Sequence, residues 1–203
     1  MTNHPNYLQA INFALDRLRG ELSPKLSYHS AWHTTDDVLP GSARIAQHSG
    51  VSEDDLRLLE VAAAFHDVGF TEEYANHEII GARIVAQVLP NYGFSERQIE
   101  RIMGMIIATR LPQSPRNLLE EILADADLDV LGRGDFLPRN EALRQEWTNF
   151  GRETQLEPWY EGQLAFLKSH NYFTPAARML RNEMKKKNIT IMEEKLRALN
   201  GKA

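Results

Sequence analysis

Residues 51–69, VSEDDLRLLEVAAAFHDVG, combine a helix start, an apolar helix and a histidine–aspartate pair. Ser52 is a typical N-cap residue, and the acidic residues that follow it lie in the first turn, where the helix dipole favours negative charge. Apolar residues then recur at helical spacing, and Gly69 is the expected helix end. The sequence therefore predicts a buried helix that carries His66 and Asp67 near its C-terminal end.

A buried imidazole beside a buried carboxylate needs a partner. Burying His66 and Asp67 without one would cost free energy, and a metal ion would be a partner for both. Imidazole and carboxylate ligands without thiolates suit Mn, Fe, Ni, Co or Zn, and suit Mg less well. The chain has no cysteine, which excludes disulfides, thiolate zinc sites and a cysteine nucleophile.

The helical spacing of this segment recurs along almost the whole chain, and no alternating strand pattern competes with it. Ser95, with Gln98 three residues later, predicts a capping box. We therefore expect an all-α fold, a single compact helical bundle formed by one domain over residues 1–203. The other predicted helices cover about 7–20, 32–50 with a bend or break at Pro40-Gly41, 76–90, 95–107, 117–131, 136–150, 158–169 and 174–199.

The composition is that of an ordinary globular protein. Of the 203 residues, 42% are hydrophobic and 25% are charged, which argues against disorder. Asp and Glu outnumber Lys and Arg by 28 to 23, a net charge of −5, so we expect no nucleic-acid partner. The longest apolar runs are far shorter than the ~18 residues of a membrane helix, and the N-terminus lacks the features of a signal peptide. We therefore expect no membrane partner and a cytoplasmic location.

Two further clusters place chemistry-bearing residues at helical spacing. His29 and His33 are four residues apart and can share one face of a helix. Asp125, Asp127 and Asp129 alternate within an apolar helix. Taken alone, each histidine is more simply interpreted as an exposed or hydrogen-bonded core residue, and the aspartates as residues that cap or solvate a helix face.

Taken together and in order, these groups follow the pattern His…His-Asp…Asp. The chain resembles the HD-domain metal-dependent phosphohydrolase superfamily through the segments Tyr28-His29-Ser30-Ala31-Trp32-His33, Phe65-His66-Asp67-Val68-Gly69 and Asp125-Ala126-Asp127-Leu128. The resemblance covers about residues 26–135, and the C-terminal helices at about 136–199 are expected to pack on this part. It implies four metal ligands, His33, His66, Asp67 and Asp127. It also implies one divalent transition metal ion per chain, Mn, Fe, Ni, Co or Zn, with Mg as a further option.

The choice of Asp127 depends on the family pattern. The family places its last ligand in an Ala-Asp-hydrophobic or Ala-Asp-basic step, which Ala126-Asp127-Leu128 fits best. Asp125 lies two positions away, about 200° round the helix, and points in another direction. Asp129 is the fallback, and either of these two aspartates could instead orient a ligand histidine.

The pair His29 and His33 also resembles Tyr-His-x-x-x-His, the opening motif of cyclic-nucleotide phosphodiesterases. In those enzymes the first histidine is a general acid for the leaving oxygen, which implies this role for His29. The alternative is an exposed histidine at the start of a helix. We expect His29 and Asp67 to be the catalytic residues. The chain departs from these phosphodiesterases at Phe70, where they carry a further histidine.

Two residues are assigned to the substrate. His77, at a predicted helix start, is the only histidine between the His-Asp pair and Asp127. It could contact a phosphate, bind a second metal ion or belong to the helix cap. Dinuclear members of the superfamily bring more histidines into this interval, so one metal ion is expected rather than two. Arg110 follows a long apolar helix and is expected to point inward, towards the phosphate.

The resemblance implies a metal-dependent phosphohydrolase that uses a metal-activated water to hydrolyse a phosphomonoester or phosphodiester, with a nucleotide as the expected small substrate. The alternative is a metal-holding sensory or interaction module of the same fold without turnover. The aromatic-rich segment after about residue 140 is expected to complete the core. A pocket lining and a homodimer face are the alternatives for it.

Overall fold

The computed structural model describes residues 4–152 and 155–200. Helices account for 75% of the structure, and these two ranges contain no strand, so the predicted all-α class is confirmed. Within the same ranges, no helix is both long and apolar enough to span a membrane. The α-helices described are α1 (Tyr7–Glu21), α2 (Leu39–His48), α3 (Glu53–Phe65), α4 (His77–Val88), α5 (Glu96–Ala108), α6 (Leu118–Asp127), α7 (Phe136–Asn149), α8 (Leu156–Ser169) and α9 (Pro175–Asn200). A π-helical segment, His33–Val38, and 3-10 turns at Val68–Thr71, Leu89–Tyr92 and Asp129–Gly132 lie between them.

The predicted helix starts at Ser52 and Ser95 are confirmed. The Ser52 side chain accepts a hydrogen bond from the backbone N–H of Asp55 at 3.2 Å. The backbone N–H of Ser95 donates to Oε1 of Gln98 at 2.9 Å, and the N–H of Gln98 donates to Oγ of Ser95, which completes a capping box. These bonds satisfy backbone groups that have no partner inside the helix, so α3 and α5 begin where the local sequence places them.

The predicted end of the helix that carries the His-Asp pair is wrong. α3 ends at Phe65 rather than at Gly69, and the chain turns into the 3-10 segment Val68–Thr71. Gly69 lies against the start of α4, where a Cβ atom would come within 1.9 Å of the carbonyl oxygen of His77. This glycine therefore allows a close approach of two backbones rather than closing a helix.

α6 also ends earlier than predicted, at Asp127 instead of Leu131, and the 3-10 turn Asp129–Gly132 follows. α9 packs directly on this turn. A Cβ atom on Gly132 would lie 2.5 Å from the Cβ atom of Arg181 in α9. The close approach of α9 accounts for a break that begins before the glycine itself.

The bend or break predicted at Pro40-Gly41 is replaced by an irregularity further upstream. The π-helical segment His33–Val38 continues directly into α2, and Pro40 lies in the first turn of α2. Helical residues precede Pro40, so its missing N–H interrupts the backbone hydrogen-bond pattern at the junction of the two segments. π-helical segments are frequent at functional sites, and this one begins with His33.

α3 is the centre of the bundle and packs against α1, α2 and α5. Its residues 61–65 have no exposed surface. Burying a side chain such as Phe65 contributes about 1.5–3 kcal/mol to folding, so this end of α3 is firmly held. His66 and Asp67 follow it directly and are therefore placed in the interior of the protein.

Buried polar contacts attach the C-terminal helices to the rest of the bundle. Asp125 accepts hydrogen bonds from the backbone N–H groups of Phe173 and Thr174 and from the Thr174 hydroxyl, each at 2.8 Å. Asp129 forms an ion pair with Arg181 of α9, with N–O distances of 2.5 and 2.7 Å. Two of the three alternating aspartates therefore hold the C-terminal helices in place.

Candidate metal centre

The structure brings three of the four predicted metal ligands into one group, and the fourth, Asp67, contacts that group through His66. One ligand atom from each of His33, His66 and Asp127 lies within 4.8 Å of the others. Oδ1 of Asp127 is 3.3 Å from Nε2 of His33 and 3.6 Å from Nε2 of His66. Oδ2 of Asp67 lies 3.2 Å from Nε2 of His66. We refer to these four residues as the His-Asp cluster.

Three separate segments build the His-Asp cluster. His33 opens the π-helical segment, His66 and Asp67 follow the last residue of α3, and Asp127 is the last residue of α6. His33, His66 and Asp67 are at most 2% exposed to solvent, whereas the Asp127 side chain is 19% exposed. The cluster therefore lies inside the protein and is open on one side, where Asp67 and Asp127 line a cavity.

Both histidines of the cluster are held through their Nδ1 atoms. Nδ1 of His66 donates to the carbonyl oxygen of Ala63 at 2.7 Å, and Nδ1 of His33 lies 3.3 Å from Oδ2 of Asp37. These contacts direct the Nε2 atoms towards the cluster, an arrangement typical of metal-binding histidines. Sequence reasoning missed Asp37, although its position four residues after His33 is a signal that could have identified it.

The cluster contains buried polar atoms without hydrogen-bond partners. Within residues 4–152 and 155–200, neither Nε2 of His66 nor Oδ2 of Asp67 makes a well-oriented hydrogen bond, although the two atoms lie 3.2 Å from each other. An unsatisfied buried polar group costs about 1–3 kcal/mol, and a cation between the two atoms would satisfy both. Two imidazoles and two carboxylates are also a donor set that suits a divalent transition metal. The residues present therefore fit a metal ion.

The charges of the cluster are coupled. Burial disfavours the imidazolium form of His33, but hydrogen bonds to Asp127 and Asp37 outweigh this effect and raise the pKa of His33 to about 9. Burial also opposes ionisation of Asp67, but the positive charge on His66 outweighs it and holds the pKa of Asp67 below its ordinary value. Both shifts favour protonated imidazoles beside ionised carboxylates, and a metal ion bound by the imidazole nitrogens would displace their protons.

His29 lines the cavity and is held by Glu146, a residue that sequence reasoning missed. Nδ1 of His29 lies 2.5 Å from Oε1 of Glu146, which also accepts from the Tyr74 hydroxyl at 3.2 Å. Oε2 accepts from the backbone N–H groups of Tyr28 and His29 at 2.8 and 3.0 Å. Burial raises the pKa of the Glu146 carboxyl, but the hydrogen bond with His29 outweighs it and leaves the pKa lowered. No local pattern marks Glu146, which lies 117 residues from His29.

His77 lies at the start of α4, beside the cluster. Its Nε2 atom is 3.8 Å from Oδ1 of Asp67 and 3.5 Å from Oε1 of Glu78, and its ring stacks on Phe70 with centroids 3.8 Å apart. The N-cap residue of α4 is Asn76, in the left-handed region with φ 59°. His77 is thus within reach of a ligand in the cavity, as a phosphate contact and a second-metal role both require.

Arg110 is not brought to the site. Its side chain is exposed. Its neighbours Thr109 and Leu111 line the cavity, but Arg110 does not. Thr109 is buried, and its hydroxyl donates to the carbonyl oxygen of Ile106 at the end of α5. Thr109 caps the end of α5 and faces inward, and Arg110, which follows it outside the helix, is exposed.

A cavity of about 530 Å³ lies over the His-Asp cluster, a volume typical of small-molecule sites. From the motif-bearing part of the chain, the polar residues His29, Asp67, His77 and Asp127 line this cavity together. The C-terminal helices contribute aromatic side chains, namely Trp147 of α7 and Trp159 and Phe166 of α8. The aromatic segment after residue 140 therefore lines the pocket in part, while Tyr172 belongs to the core as expected.

The chain is similar to one known protein family and to solved structures of the same fold. The family described as HD domain matches residues 37–129. A crystal structure described as a predicted HD superfamily hydrolase, from an uncultured Thermotogales bacterium, is similar with a TM-score of 0.62 and 19% identity over 98% of this chain and 93% of its own. A Lactobacillus plantarum protein is similar with a TM-score of 0.68 and 17% identity over 98% of both chains. At these identities the likeness establishes the fold. Among curated proteins, none is significantly similar to the chain.

Proposed function

Because the chain belongs to the HD-domain superfamily, we propose that it is a metal-dependent phosphohydrolase acting on a small phosphomonoester or phosphodiester, with a nucleotide as the expected substrate. One observation carries the proposal. Nε2 of His66 and Oδ2 of Asp67, which are buried, lie 3.2 Å apart and make no well-oriented hydrogen bond among the described residues, belong to a cluster that opens into a cavity of about 530 Å³. A ligand in this cavity would meet both the cation and the side chains needed for proton transfer.

The cation would be held by His33, His66, Asp67 and Asp127, one ion per chain. When bound, a divalent ion would lower the pKa of a coordinated water and offset the negative charge that develops on phosphorus. The protein's own part is to keep the ligand atoms in place. Asp37 holds the ring of His33, and the rigid end of α3 positions the His-Asp pair.

His29 is the residue proposed to protonate the leaving oxygen. Its Nδ1 atom is engaged by Glu146, so its Nε2 atom is the one available to a ligand in the cavity. The Glu146 carboxylate provides a counter-charge for the imidazolium form, as an acidic residue does for a catalytic histidine in other hydrolases. The proton would pass from Nε2 to the leaving oxygen as the bond from phosphorus to that oxygen breaks.

His77 is proposed to contact a phosphoryl oxygen. It lies in the first turn of α4, where the helix dipole favours an anion, and its ring is held against Phe70. Asp67 lies between His77 and His66, so a phosphoryl group near the cation would also be near His77.

Metal analysis combined with a substrate screen tests this function. The purified protein, the same protein after chelation, and samples reloaded with Mn, Fe, Co, Ni, Zn or Mg would be assayed with p-nitrophenyl phosphate and bis(p-nitrophenyl) phosphate. We expect about one ion per chain, with hydrolysis of one ester lost on chelation and restored on reloading. Tight metal binding without hydrolysis of any phosphate ester would contradict the proposal and favour a sensory or interaction module.

A further inference from the structure

The cavity over the His-Asp cluster has an unusual distribution of charge. Among the described residues that line it there is no lysine and no arginine, and the carboxylates are those of Asp67, Glu78 and Asp127. A divalent ion would be neutralised by the two aspartates of the cluster. One phosphoryl group can still gain from direct contact with the ion, His29 and His77, but among the described lining residues no lysine or arginine is left to pair with a second.

The arginines nearest to the motifs are engaged elsewhere. Arg133 forms an ion pair with Asp37. The guanidinium of Arg139 stacks 4.6 Å from the ring centroids of both Tyr28 and Trp32. Neither arginine lines the cavity. A charged tail on a substrate would consequently lose its hydration without gaining an ion pair, which is unfavourable.

The wall away from the cluster is largely apolar. It includes Leu128, Val130, Leu131, Phe136, Trp159 and Phe166. Such a wall favours an uncharged, planar body, because aromatic side chains gain contact area from flat rings. A body without a ring system, such as glycerol, would gain little contact area from this wall and would leave its hydroxyl groups without partners there.

One chain of hydrogen bonds makes this wall polar at a single place. Nε1 of Trp159 donates to Oδ1 of Asn140 at 2.8 Å, and Nδ2 of Asn140 donates to Oε1 of Gln163 at 2.6 Å. The indole can only donate, so the orientation of both amides is determined. Nε2 of Gln163 is the last group in this series of hydrogen bonds and has no partner among residues 4–152 and 155–200. The half-buried Gln163, which lines the cavity, thus offers N–H donors rather than an acceptor.

We infer that the cavity takes monophosphate esters of an uncharged aromatic or heteroaromatic body that presents a hydrogen-bond acceptor to Gln163, and that it disfavours esters with a second phosphate. This inference rests on the proposed function, since the phosphoryl group is placed at the His-Asp cluster. It adds the substrate class: one phosphoryl group, a flat apolar body and one acceptor.

The number of phosphates is tested with the metal-loaded protein and three probes: uridine 5′-monophosphate, uridine 5′-diphosphate and glycerol 3-phosphate. We expect kcat/KM for the monophosphate to exceed the value for the diphosphate by ~100-fold or more, the size of effect that one unpaired buried charge produces, and to exceed the value for glycerol 3-phosphate as well. Equal hydrolysis of the monophosphate and the diphosphate would overturn the inference while leaving the proposed function intact. Loss of hydrolysis of every ester would instead contradict the proposed function.

Binding of the uncharged aromatic part of the substrate is tested in the absence of metal and of turnover. Trp147 and Trp159 line the cavity, so uridine, which carries no phosphate, should quench tryptophan fluorescence of the metal-free protein in a saturable way. Quenching should weaken in Gln163→Leu and persist in Gln145→Leu. Gln145 is exposed on α7 and, among the residues that the structure describes, bonds only to Asn149. Absence of saturable quenching, or equal weakening in the two variants, would overturn the inference whatever the metal does.

The acceptor is tested by comparing uridine 5′-monophosphate with 1-naphthyl phosphate, whose rings carry no acceptor. Gln163→Leu should raise KM for the first at least ~5-fold more than KM for the second, since one hydrogen bond to a neutral group is lost. A merely structural role for Gln163 would change KM for both probes alike, and that result would overturn the assignment.

Discussion

Replacing Glu146 by glutamine tests the role of His29 without changing the size of any side chain. In the wild-type protein, Oε2 accepts two backbone N–H groups and Oε1 lies 2.5 Å from Nδ1 of His29. A glutamine can keep its oxygen on the backbone groups, but it then presents an NH₂ group to His29. Glu146→Gln therefore removes the counter-charge of the imidazolium while preserving the anchoring of the loop before the π-helical segment.

The expected loss follows from the one charge-assisted hydrogen bond that is removed. Hydrogen bonds to charged groups contribute about 1.5–3 kcal/mol, and about 1.36 kcal/mol corresponds to a tenfold change in rate. We therefore expect kcat for benzyl phosphate, which has an alkoxide leaving group, to fall ~10- to 150-fold. For p-nitrophenyl phosphate the decrease should be much smaller, because its leaving group needs little protonation.

The assay is steady-state kinetics with both esters, with metal content and melting temperature measured for each protein. Glu141→Gln is the matched control, because Glu141 is exposed on the same helix and, within the described part of the chain, pairs only with Arg144. It should behave as wild type with both esters. Equal losses with the two esters in Glu146→Gln, or no loss with benzyl phosphate, would refute His29 as the proton donor.

Three further substitutions have distinct expected outcomes. Asp67→Ala should abolish metal binding and hydrolysis together while far-UV circular dichroism stays unchanged; unchanged metal content would contradict its place among the ligands. His29→Ala should retain the metal and lower kcat for benzyl phosphate by ~10²–10⁴-fold, and loss of the metal would make it a ligand instead. Gly69→Ala should lower the melting temperature, because the added Cβ atom would lie 1.9 Å from the backbone oxygen of His77. Gly134→Ala is the control and should leave the melting temperature unchanged, because a Cβ atom there would meet no described atom within 4 Å. Equal melting temperatures for the two variants would disprove the close approach at Gly69.

Features set by neighbouring residues could be predicted from the sequence. Ser52 and Ser95 cap their helices through residues three positions away, so the information lies within one turn. The four members of the His-Asp cluster could be predicted from their order and from the resemblance to a family. Asp37 could also have been identified, because its spacing from His33 is that of one helical turn.

Features that depend on long-range packing could not be predicted. Glu146 reaches His29 across 117 residues, and nothing in its local sequence distinguishes it from the exposed Glu141. The end of α6 at Asp127 is associated with the close packing of α9, which no local breaker residue signals. The apolar character of α5 was the sole basis for expecting Arg110 to point inward. Its direction instead depends on Thr109, the residue before it, which is buried and bonds to the end of α5.

The central claim is that His33, His66, Asp67 and Asp127 bind one divalent metal ion. Crystals of the protein, grown without chelator, would be measured at the absorption edges of Mn, Fe, Co, Ni and Zn, with elemental analysis of the same preparation. We expect one anomalous peak per chain with all four side chains as ligands, at about 2.0–2.2 Å for a zinc-like ion. A fully loaded protein whose peak lies elsewhere, or a protein that binds none of these metals, would contradict the claim.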